Sequence, residues 1–139
     1  MAHGTVTDLV NEIMKSAPDY NWVEADGVVN VMPKKRTSGL SDLQIAHFRV
    51  TNSGPDNLRD AITALPEVKA WTAKTGVTER SIESLVSGIG EEAGPRVSID
   101  FKGVTLRDVM NGIVKTPRLH MWSVSFYGKN DRYLSININ

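Results

Sequence analysis

Three aspartates recur in one setting along this chain: Thr5-Val6-Thr7-Asp8, Asn57-Leu58-Arg59-Asp60 and Thr105-Leu106-Arg107-Asp108. Three carboxylates invite the idea of an acid–base or metal set. Each, however, stands three residues after a helix-capping type and just before an apolar pair. A carboxylate there reaches back to the first free amides and sits at the positive end of the helix dipole. The spacing therefore predicts three helix starts rather than chemistry. The histidines His3, His47 and His120 offer no better set, because none lies four residues from another ligand type on a helix. A catalytic zinc site normally takes three protein ligands around a water-accessible centre, so all three histidines read as structural. Asp100 alternates with Ile99 and Phe101 and is expected on the solvent side of a strand. Glu91-Glu92 lacks the Asp-x-Asp-x-Asp-Gly spacing of a calcium loop. Gly88-Ile89-Gly90 runs into these acids instead of Lys and Ser/Thr, which makes a poor phosphate cradle. No Gly-x-Ser-x-Gly elbow is present, and the absence of cysteine removes disulfides, thiol catalysis and thiolate metal sites. No catalytic residue, cofactor or metal is expected.

The elements that carry these residues follow from periodicity. Val6, Leu9, Val10, Ile13 and Met14 lie on one helical face. Ala17-Pro18-Asp19 stops that helix, since proline cannot continue the ladder. Asn21–Glu24 and Val28–Met32 then flank Ala25-Asp26-Gly27, a hairpin signal. The third copy repeats this order, with Leu106, Val109, Met110, Ile113 and Val114 on the helical face and Thr116-Pro117 at its end. Met121–Phe126 and Tyr133–Ile138 alternate as strands around a turn at Gly128–Asp131. In both copies a tryptophan follows seventeen residues after the cap, at Trp22 and Trp122. Between them, 45–50 and 97–101 read as strands, and Leu58, Ala61, Ile62 and Leu65 as a shorter helix ending at Pro66. Glu67 to Lys74 reads as a further helical turn carrying Trp71. Ile82, Leu85, Val86 and Ile89 have helical spacing, although the serines leave a strand open. Loops are expected at 33–42 and 88–95.

The chain has 139 residues, enough for one compact domain over 1–139, with sub-units at 1–33, 45–90 and 96–139. Sixteen basic and sixteen acidic residues cancel, which leaves little long-range drive toward nucleic acid or anionic lipid. The basic triplet Lys34-Lys35-Arg36 reads as a solvated loop. No segment reaches the roughly 20 apolar residues of a membrane span, so no membrane insertion is expected.

Val97-Ser98-Ile99-Asp100-Phe101-Lys102-Gly103-Val104-Thr105-Leu106-Arg107-Asp108-Val109 resembles the opening of the short N-terminal domain of secretins and TonB-dependent receptors. There a strand leads through a short turn into a Leu-Arg-Asp-Val-type helix. The resemblance covers about 45 residues from Arg96 onward, with a fainter echo at 45–62. It implies a small α+β module outside the inner membrane that contacts partner proteins and carries no catalytic residues. Here an extra helix-hairpin unit lies in front of the resembling segment.

The expectation is thus an α+β fold: an antiparallel sheet with helices on one face, built from two similar helix-hairpin units that pair into one core. The expected function is a non-enzymatic protein-interaction or scaffold module of a bacterial cell-envelope or exported protein. A periplasmic or secreted location follows from the resemblance, with a signal peptide absent or trimmed; a cytoplasmic one stays open. Trp22, Trp122, Tyr133, Ile136 and Ile138 form the expected interaction surface. Another protein is the expected partner, with self-association through edge strands as a further option. The alternative is a ligand-binding domain or small enzyme with a cleft between the two units, where Arg49, Arg107, Arg118 and Asp100 supply polar groups.

Overall fold

The computed structural model describes residues 4–35, 39–80 and 94–139, with the Asp131 side chain left aside. His3, Arg36, the run Ile82, Leu85, Val86 and Ile89, and the Gly-rich segment with Glu91-Glu92 lie outside the described residues. The chain divides into two compact units, Met1–Gly39 and Leu40–Asn139, rather than the single domain expected. The boundary falls in the loop read at 33–42.

In the first unit, α1 (Val6–Lys15) opens with Thr5 as its cap. The Thr5 hydroxyl accepts from the Asp8 amide at 3.2 Å, and the Asp8 carboxylate accepts from the Thr5 amide at 2.9 Å. These bonds satisfy donors that the helix cannot satisfy itself. Strands β1 (Tyr20–Ala25) and β2 (Val28–Pro33) pair antiparallel, with Trp22 opposite Val31. Asp26 and Gly27, at φ 54° and 80°, make the turn between them. Two left-handed residues are what a two-residue hairpin of matching twist requires.

The second unit begins with a 3-10 turn, Leu40–Asp42, and the long strand β3 (Gln44–Ser53). Helix α2 (Pro55–Thr63) follows, then α3 (Pro66–Thr75). Each starts with proline, whose missing N–H costs nothing in the first turn. Pro55 moves the start of α2 ahead of the expected one: Gly54 is the cap, and Asn57 and Asp60 lie inside the helix. The segment read as one turn around Trp71 is a full helix, closed by Gly76 in the left-handed conformation. Then come β4 (Thr78–Glu79), β5 (Val97–Thr105), α4 (Leu106–Val114), β6 (Trp122–Tyr127), a second 3-10 turn and β7 (Tyr133–Ile138).

The α+β class is the class observed, but the strands do not share one sheet. β1–β2 and β3–β5 are separate antiparallel pairs, and the third sheet runs β4-β7-β6. Its β4–β7 pairing is parallel, with Thr78 opposite Tyr133. Alternation along a strand says which face is buried and is silent on its lateral neighbour. The main buried cluster belongs to the second unit and includes Ile45, Phe48, Leu58, Ile62, Leu106, Val109, Ile113, Leu134 and Ile136.

Candidate interaction face

Helices α1 and α4 are built alike. Thr105 and Asp108 repeat the reciprocal cap of Thr5 and Asp8, at 3.0 and 3.2 Å. The Trp22 indole N–H donates to Asn11 Oδ1 at 2.9 Å, and the Trp122 indole N–H donates to Asn111 Oδ1 at 2.9 Å. Each bond ties the first strand of a hairpin to the middle of the helix before it. In α1 the Thr5 amide, and then its hydroxyl, hold the Asp8 carboxyl below its ordinary value of 3.8.

The two helices differ in what covers them. On α4, Leu106, Val109 and Ile113 are 1%, 0% and 0% exposed. The residues at the same distance from the cap on α1, Val6, Leu9 and Ile13, are 66%, 62% and 53% exposed. α4 packs against β5, β3, β6 and the Leu40–Asp42 turn. Phe101 of β5 lies so close over Gly112 that a Cβ there would stand 2.5 Å from the ring. α1 packs against β1 and buries Val10, while Met14 is half-buried. Its remaining apolar stripe faces outward, and Tyr20, Val23 and Val31 of the hairpin are exposed as well. The outward residues Val6, Leu9 and Ile13 share one helical face, and an uncovered apolar face of this kind marks interaction sites in folded proteins.

The surface expected from sequence is placed differently. Trp22 and Trp122 are half-buried braces with their indole N–H groups engaged. Tyr133 is half-buried, with the Arg80 guanidinium 4.5 Å from its ring centre and Tyr127 at 5.5 Å. Ile136 and Ile138 are in the core, which corrects their assignment to a surface. β7 lies between β4 and β6, and among the described residues β4 pairs only with its first two residues, Tyr133 and Leu134. The α1 stripe was missed because its apolar spacing is the same as that of α4. A small signal was present: position 12 is Glu where position 112 is Gly.

Polar residues considered for a cleft have local roles. Arg107 Nη2 donates to Ser41 Oγ at 3.0 Å and lies 3.0 Å from Asp42 Oδ1, bracing the 3-10 turn on α4. His47 Nε2 and Asp100 Oδ1 lie 2.6 Å apart, both half-exposed, on the outer side of the β3–β5 ribbon. Arg49 stands opposite Asp100 and Lys102 opposite His47. Arg118 holds a left-handed turn at φ 77°. An open groove of about 400 Å³, lined by Thr72, Ala73, Gly76, Val77, Thr78 and Glu79, contains none of these four cleft candidates. Among the described residues no cluster of three or more His, Cys, Asp or Glu is placed to hold a metal, and no helix is long and apolar enough to cross a membrane. No family model, curated protein or solved structure matches the chain.

Proposed function

We propose that the chain is a non-enzymatic protein-interaction module whose docking surface is the outward stripe Val6, Leu9 and Ile13 of α1. The single observation that carries this is the contrast between twin helices: the stripe that α4 buries completely is left in solvent on α1. Roughly 25 cal/mol is gained per Å² of apolar surface removed from water, so covering three large aliphatic side chains is a substantial drive to association. A place in a bacterial cell envelope or an exported protein rests on the resemblance of 96–139 to the short N-terminal domain of secretins and TonB-dependent receptors.

The test is capture from a cell-envelope extract by the immobilised chain, beside a Leu9→Glu, Ile13→Glu double variant. A protein retained by the parent chain and lost with the variant supports the module, provided NMR shows both units still folded. Equal retention by both, or none by either, overturns it.

A further inference from the structure

We infer that the α1 face takes an extended, amphipathic strand from a partner protein, and that Glu12 selects a strand carrying a lysine or arginine at the contact. This rests on the reading of α1 as a docking surface and specifies what docks there.

The occupant is argued from the twin helix in the same chain. α4 packs against three strands, β5, β3 and β6, and the Leu40–Asp42 turn; of these, β5 runs directly into the helix, with Thr105 as both its last residue and the helix cap, and lays Phe101 over Gly112. Along β5 the residues Val97, Ile99 and Phe101 turn toward the core, while Ser98, Asp100 and Lys102 are exposed. α1 shares the cap, the helix length to within one residue and the tryptophan–asparagine bond. It therefore offers the same apolar shelf, beginning at the same distance from its cap. Among the described residues of the first unit the strands are β1 and β2, which pair with each other.

One position separates the two shelves. Gly112 leaves room for the Phe101 ring. Seven residues after the cap on α1, Glu12 occupies that place, paired with Lys15 at 2.5 Å. An aromatic side chain set down there would meet a carboxylate and strip its water without replacing it. A basic side chain would meet its opposite charge. The existing pair gives little resistance, because both side chains are more than two-thirds exposed and such pairs are weak. Strand alternation supplies the other contacts: branched aliphatic residues at every second position reach Val6, Leu9 and Ile13.

The test replaces residues 1–4 by a copy of Arg96–Val104, so that a strand enters α1 as β5 enters α4. Two forms are made, one with the copied phenylalanine and one with arginine in its place. Hydrogen exchange at the α1 amides is read with exchange in the second unit as the folding control. The arginine form is expected to slow exchange across α1 by roughly tenfold or more over the parent, since tethering makes docking intramolecular. The phenylalanine form is expected to gain less, and Glu12→Gly is expected to restore its gain. No slowing in either form overturns the strand, as does a parent chain that light scattering shows to be a dimer with α1 already protected. Equal slowing in both forms, with no effect of Glu12→Gly, overturns the role of Glu12. Loss of capture in the Leu9→Glu, Ile13→Glu variant alongside no slowing here would keep the docking surface and remove only the strand.

Discussion

Phe101 crosses Gly112 at a distance that leaves no room for a methyl group: a Cβ on residue 112 would come within 2.5 Å of the ring Cζ and 2.6 Å of Cε2. The glycine is thus a packing requirement inside a helix, where it would otherwise be a cost.

Gly112→Ala should therefore change sign with its neighbour. In the parent chain, overpacking of about 1–3 kcal/mol outweighs the helix gain of about 1 kcal/mol, so the variant is less stable or at best neutral. In a Phe101→Ala background the clash is gone, and the same substitution should stabilise by about 1 kcal/mol. Chemical denaturation of the four chains measures the coupling directly.

The twin isoleucines should respond in opposite ways. Ile113 is fully buried, and Ile113→Ala should cost about 2–5 kcal/mol. Ile13 is exposed, and Ile13→Ala should stay within about 0.5 kcal/mol of the parent. A large loss at Ile13 in thermal or denaturant unfolding would mean that its face is covered in solution.

Asn111 accepts the Trp122 indole N–H and is buried, whereas Asn11 makes the same bond at an exposed site. Asn111→Ala leaves a half-buried donor without its partner and should cost about 1–3 kcal/mol. Asn11→Ala exposes its donor to water and should cost clearly less. Denaturant midpoints for the two variants give the comparison.

The Asp8 cap sets a pH dependence confined to acid. Its folded pKa is lowered by the Thr5 amide and hydroxyl, so the unfolded chain takes up the proton first as pH falls. The contribution to α1 is complete above the ordinary value of 3.8 and is lost as pH drops through the lowered folded value. An NMR titration should show the Asp8 carboxyl midpoint below 3.8 and the α1 amides loosening with it. Asp8→Asn should abolish that step.

Local features were legible because a few neighbouring residues complete them. The caps at Thr5 and Thr105, the Asp26-Gly27 turn and the stops at Pro18 and Pro117 all close within a span of about four residues. Even there, Pro55 overrode the second expected start by placing a stronger helix-initiating residue two positions ahead of Asn57. The interaction surface was harder to see. Trp22 and Trp122 could be recognised as equivalent, but Ile136 and Ile138 carry the same alternation whether β7 is an edge or a central strand.

From sequence alone, then, came the α+β class, the reciprocal caps at Thr5 and Thr105 and the hairpins. Tertiary structure decided which of two matching helical stripes is covered, that β7 lies between two strands, and that His47 and Asp100 meet across 53 positions of chain. The division has one physical cause. Caps and turns are satisfied by hydrogen bonds to near neighbours, so their residues state the outcome. Burial depends on segments far apart in the chain, and five apolar residues at helical spacing look the same with a strand laid over them or with none.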